Sequence, residues 1–196
     1  MSKPAAQRFE VRWSEALLNL SSIVEKLEQA QTFFLRAADA IPAEQWRTKH
    51  SVEEWSTAEV VAHLVLVERA VIGGADRILQ KSPRPVSLLK RAHLPLWLVE
   101  ARLIRRKSPI PMDPTMIGSK EEMLGELRNT RERALAFLEE TRNRDLSAYR
   151  WRHTFLGSLN VYEWFEMIAA HQIRHGKQVK EIARRLPKVV EISQNQ

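Results

Sequence analysis

The chain has 196 residues, 31 lysines and arginines against 24 aspartates and glutamates, a formal charge of +7 and no cysteine. This length suits one domain with a substantial core of its own, and the missing cysteine excludes disulfides, thiolate metal sites and a nucleophilic thiol from the protein itself. Six glycines argue against a turn-rich all-β fold, while the polar start Met1-Ser2-Lys3-Pro4 and the lack of any run of ~18 apolar residues leave no signal peptide or membrane span, in keeping with a cytoplasmic protein.

Four segments read as long helices, each opened by a capping box in which Ser or Asn is followed three residues on by Glu. The first box, Ser22-x-x-Glu25, predicts a helix from Ser22, with Ser14 as an alternative start, to Ala40. Its apolar stripe is Ile23, Leu27, Ala30, Phe34, Ala37 and Ile41, and Pro42 lies just beyond its end. The second box, Ser56-x-x-Glu59, opens a helix from Thr57 to about Gln80. That helix is apolar nearly all round between Val60 and Val67, which predicts the most buried of the four. Gly73-Gly74 weaken its second half by ~1 kcal/mol each against Ala.

A long connection follows, from Lys81 to Gly118, broken by six prolines between Pro83 and Pro114. Leu88, Leu89, Ala92, Leu96, Val99 and Leu103 recur at helical spacing, so one or two short helices are expected between Val86 and Arg106. The third box, Ser119-x-x-Glu122, opens a helix from Lys120 to about Thr141 with Met123, Leu127, Ala134, Leu135 and Leu138 on one side. The fourth, Asn160-x-x-Glu163, opens a helix from Val161 to Leu186 that stops at Pro187. Trp55 against Val60 and Leu159 against Trp164 are spaced as hydrophobic staples at two of these starts.

A short loop makes antiparallel neighbours, and a long one permits a crossover to a parallel neighbour. The fold expected is therefore all-α: a four-helix bundle, up-down-down-up, with a long, partly helical crossover between helices 2 and 3. It forms a single domain over residues 1–187, with a loose tail at 188–196. Phe33-Phe34 and the 86–106 stretch offer more apolar surface than one bundle needs, which predicts a homodimer.

The positive charge is spread over helical segments and interleaved with acids. Its denser patches are Arg102, Arg105, Arg106 and Lys107, within the basic 84–107 stretch, and Arg184-Arg185. Aromatics and glycines do not alternate with them as in a single-strand-binding platform. Solvated helix faces are the favoured reading over nucleic acid, or over a membrane surface for the Leu/Trp/Arg-rich stretch 94–107.

His171 and His175 stand four residues apart on the stripe Trp164, Ile168, Val179, Ile182 and Leu186 of the last helix, so both rings face the bundle interior. His63 shares a face with Val60 and Val67 of the second helix. Buried imidazoles need partners, because an unsatisfied buried polar group costs about 1–3 kcal/mol. A shared divalent metal satisfies one nitrogen of each, and three histidines leave open positions for reaction. His50 and His93 read as surface residues without partners, and His153 as a loop residue bonded to backbone. Among nearby carboxylates, Glu59 and Glu163 are explained by capping, while Glu68 and Glu166 are candidate orienting or base residues. Gln172, Arg174 and Gln178 flank the pair, and Gln178 points toward the pocket.

Two segments carry a family resemblance. Trp55-Ser56-Thr57-Ala58-Glu59-Val60-Val61-Ala62-His63-Leu64 is similar to W-S-x-x-E-V-x-x-H-L. Gly157-Ser158-Leu159 through Glu163-Trp164, followed by His171-Gln172-Ile173-Arg174-His175-Gly176-Lys177-Gln178, is similar to G-x-L-x-x-x-E-W…H-x-x-R-H-x-x-Q. On these residues the chain resembles the DinB/YfiT-like metalloenzyme family. The resemblance implies an up-down-down-up bundle holding a divalent metal, nickel or zinc, through His63, His171 and His175. The crossover is longer and more basic than the family pattern.

The expectation is a metal-dependent enzyme with a small-molecule substrate. It is either a hydrolase that activates water or a thiol-dependent transferase, the thiol coming from an external low-molecular-weight cosubstrate. The alternative is a non-enzymatic stress-response or binding module with a structural metal, contacting nucleic acid or a membrane surface.

Overall fold

The computed structural model describes residues 5–83, 93–100 and 117–187. In chain order these form α1 (Ala5–Asp39), a 3-10 turn (Ala43–Gln45), α2 (Thr57–Leu79), α3 (Trp97–Glu100), α4 (Lys120–Glu140), β1 (Arg150–His153), β2 (Gly157–Asn160) and α5 (Val161–Arg185).

Three of the capping boxes close as expected. At Ser56, Ser119 and Asn160 the side chain accepts from the backbone N–H three residues on, and the glutamate there accepts in return from the cap's own N–H. The Ser22 box does not cap anything. Ser22 lies inside α1, which starts at Ala5. No glycine or proline separates Pro4 from Pro42, so nothing stops the helix from extending upstream of the box.

Cross-links between helices fix their directions. Lys26 pairs with Glu166 at 2.5 Å, and Gln45, just beyond α1, donates to the Pro187 carbonyl at 2.8 Å, so α1 and α5 run parallel. Arg185 pairs with Glu54 at 2.9 Å while His63 meets His171, so α2 runs against α5. Lys120 donates to the carbonyls of Asp39 and Ile41, and Arg131 to that of Leu27, so α4 runs against α1. The bundle is up-down-down-up, and the long connection joins its parallel pair, α2 and α4. Within that connection α3 packs on α5, where Glu100 pairs with Lys177 at 2.7 Å. The rest of the expected helical stretch between Val86 and Arg106, the arginines of the 84–107 patch and the tail 188–196 lie outside the described residues.

The connection between α4 and α5 adds a two-stranded hairpin to the all-α expectation. β1 and β2 pair antiparallel from Arg150↔Asn160 to His153↔Gly157. Tyr149 and Trp151 pack on the core and Arg152 is exposed, the two-residue alternation of a strand. Gly157 takes φ 101°, a conformation that favours glycine, where β2 leaves the turn.

Phe34 is fully buried within the bundle, and Phe33 lies against Gly176, where an added Cβ would come within 2.6 Å of the phenyl ring. Phe34 is thus used inside the chain, and half-buried Phe33 marks a close α1–α5 approach. No helix among the described residues is long and apolar enough to cross a membrane.

The core falls into two apolar clusters. One gathers Ile23, Leu138, Leu159 and Phe165, and the other Phe34, Trp46, Val61 and Leu127. Between them lies a polar layer. Arg131 of α4, 2% exposed, donates to Glu68 of α2 at 2.6 and 3.0 Å, to Gln172 of α5 at 2.9 Å and to the Leu27 carbonyl of α1. Removing one partner of a buried ion pair costs about 3–5 kcal/mol, whereas replacing the pair by apolar residues costs far less. Glu68→Ala is expected to lose stability on that scale in urea unfolding, and Glu68→Met with Arg131→Met to recover most of it. A Glu68→Ala midpoint equal to wild type would show that Arg131 needs no counter-charge.

Candidate metal centre

His63 sits on the second turn of α2, whose start Ser56 fixes, and His171 and His175 sit one turn apart on α5. The antiparallel register of these two helices brings the rings together. His63 Nε2 lies 3.3 Å from His171 Nε2, and His175 Nε2 lies 3.1 Å from the same atom. All three nitrogens lie within 4.8 Å of one another. His63 is 5% and His175 7% exposed.

Burial keeps His63 and His171 neutral. It pushes His63 down to about 4. His171 is driven well below the usual histidine range, first by burial and then by the charges of His175, His63, Arg174 and His153. Neutral imidazole is the form that ligates a metal. Gln178 Oε1 lies 2.8 Å from His175 Nδ1 and accepts a hydrogen bond from its N–H, which leaves the Nε2 lone pair turned to the other rings.

The donor set fits a divalent ion. Ligands ~2.0–2.1 Å from a tetrahedral zinc stand ~3.3–3.4 Å apart, close to the observed spacings. The triad has no carboxylate among the members of its ligand cluster, and His171 Nδ1 is buried without a partner. Such a cluster of buried nitrogens is poorly satisfied by imidazoles alone and well satisfied by a shared cation.

From its position before the cap Trp55 reads as a hydrophobic staple, and it opens the W-S-x-x-E motif. The structure places its ring 5.0 Å from His63 and stacked on His175 at 6.1 Å, so it covers one side of the triad. Its place immediately before the cap, eight residues ahead of His63, is the signal that points to this contact.

The carboxylates are engaged elsewhere. Glu59 closes the α2 cap and pairs with Lys49 at 2.6 Å; burial raises its pKa, but the hydrogen bonds from Lys49 and Ser56 outweigh that and hold it low. Glu163 caps α5 and pairs with Arg150 at 2.9 Å. Glu68 is paired with Arg131 and Glu166 with Lys26. Gln172 likewise turns to Arg131.

His50 is exposed, as expected. His93 is not partnerless: it pairs with Glu163 at 3.3 Å, bonds the Leu94 carbonyl and forms a bridge with Gly157, because the crossover folds back onto the hairpin. His153 accepts from backbone N–H groups, as the sequence suggests, but it ends strand β1 instead of lying in a loop.

Untagged protein is expected to carry about one transition metal per chain by elemental analysis. His171→Ala should abolish it and His93→Ala should leave it; equal metal in both variants would place the site elsewhere. In metal-free protein, His63 takes its proton near pH 4, against ~6.5 for an unfolded histidine. Between those values the unfolded chain binds the extra proton, so stability is intact above that window and falls as pH drops through it. His63→Phe should flatten this fall between pH 7 and 4.5 in urea titrations. An unchanged slope would show that His63 titrates normally.

A family model described as the DinB superfamily matches residues 26–179, a span that contains all three histidines. The chain is 28% identical over 144 residues to the uncharacterized protein YuaE of Bacillus subtilis, covering 73% of this chain and 86% of that relative. No solved structure gives a significant match. With its helical bundle and a match over most of its length, the chain belongs to the DinB superfamily.

Proposed function

We propose that this chain is a metal-dependent enzyme acting on a small molecule, with one divalent transition metal, nickel or zinc, held by His63, His171 and His175. The observation that carries this reading is the convergence of three Nε2 atoms, with spacings of 3.1 and 3.3 Å to the shared His171 nitrogen. Structural metal sites use four protein ligands, whereas three leave room for a substrate. When bound, such an ion supplies Lewis acidity and lowers the pKa of a coordinated water or thiol.

The chain's own groups do the rest. Gln178 fixes the His175 tautomer, and Trp55 shields the rings from water on one side. Half-buried Arg174 places a positive charge that is felt at His171, suited to a carboxylate on the incoming molecule. Hydrolysis and thiol-dependent transfer both fit this site; with no cysteine in the sequence, the thiol of the second comes from a cosubstrate.

A panel of esters, amides and electrophiles, each offered with and without glutathione, tests the reading. Turnover is expected in metal-loaded wild type, lost on chelation, restored by nickel or zinc and absent from His171→Ala. Turnover that survives chelation would overturn the assignment. Loaded protein inert across the panel would instead favour a metal that only holds the fold.

A further inference from the structure

His153 ends β1, opposite Gly157 in the hairpin. Its Nδ1 accepts two backbone hydrogen bonds, from the N–H of Phe155 at 3.0 Å and of Leu156 at 3.1 Å. A ring nitrogen that accepts carries no proton, so the neutral imidazole carries its proton on Nε2. Burial lowers the ring's pKa and keeps it neutral at physiological pH. The ring lies 5.1 Å from Trp164, which stacks on Trp151 at 4.7 Å. The result is an N–H donor of fixed tautomer and fixed plane, and its Nε2 has no partner among the described residues.

The hairpin sets this ring against Trp164 of α5. Trp164 precedes His171 by seven residues, two helical turns, so the two share a face. The chain from His93, bridged to Gly157, to Glu100, paired with Lys177, runs along α5 in the same direction and passes the level of the triad. A charge on His153 is felt at His171.

We propose that His153 is a ligand-binding residue of the metal centre, its Nε2–H donating a hydrogen bond to an oxygen of the small molecule held at His63, His171 and His175. This rests on the metal-enzyme reading of the triad. It also narrows the ligand. A ring whose Nδ1 is occupied and whose Nε2 is protonated donates and does not accept, so it serves a carbonyl, carboxylate or hydroxamate oxygen and does not act as a base.

Two substitutions separate this role from the hairpin's own needs. Asn places an acceptor oxygen where Nδ1 sits and lacks the outer nitrogen; Gln reaches far enough to put an amide N–H near Nε2 and lacks the inner acceptor. The probe is acetohydroxamate, added to cobalt(II)-loaded protein and followed by cobalt's visible absorption. His153→Asn is expected to keep wild-type melting and cobalt stoichiometry while binding the probe about tenfold more weakly. His153→Gln is expected to melt lower and to bind within about threefold of wild type. Where both variants melt low, the order of affinities still decides, and Gln must bind more tightly than Asn. Asn binding the probe as tightly as wild type, at equal cobalt content, would make His153 a hairpin residue only. Wild type that takes up no cobalt would overturn the metal reading itself, and this proposal with it.

Discussion

Arg131 sends its guanidinium from α4 into the centre of the bundle, where it reaches Glu68 on α2, Gln172 on α5 and the Leu27 carbonyl on α1. All four long helices meet in this one group. Desolvating the two charges costs several kcal/mol apiece, so the pair adds little net stability over an apolar core. Its physical consequence is register. Slipping any helix by one turn, ~5.4 Å, would leave a buried charge or amide unpaired. Two apolar clusters above and below, built from interchangeable Leu, Ile, Val and Phe, are far more tolerant of such a slip.

The metal centre inherits that register. Glu68 follows His63 on α2, and Gln172 adjoins His171 on α5, so the contacts that align these helices for Arg131 also align the imidazoles. Electrostatics agree. Arg131 is neutralised by Glu68 within the same polar layer. His63 and His171 stay uncharged because burial opposes their protonation.

Much of this was legible in the sequence where the signal is local. The boxes at Ser56, Ser119 and Asn160 placed three helix starts to the residue, because a cap is decided within four positions. The same pattern at Ser22 misled, since an identical box inside an unbroken helical run has no free N–H groups to satisfy. The inward stripe of α5 was enough to place His171 and His175, and the apolar face of α2 enough for His63. The hairpin escaped notice because four-residue strands carry barely two periods of alternation. Glu68 looked like a candidate base because its partner, Arg131, lies 63 residues away and no local rule links them. His93 looked idle for the same reason, its partner Glu163 being across the fold.

The account stands on three imidazoles sharing one ion. X-ray absorption on nickel- or zinc-loaded protein reads that shell directly. The prediction is a first shell containing three imidazole nitrogens, with the multiple-scattering pattern of the rings, at ~2.0–2.1 Å for zinc. His63→Ala should lower the imidazole count to two or abolish binding. A shell of oxygens alone, or one that keeps its imidazole count in His63→Ala, would contradict it.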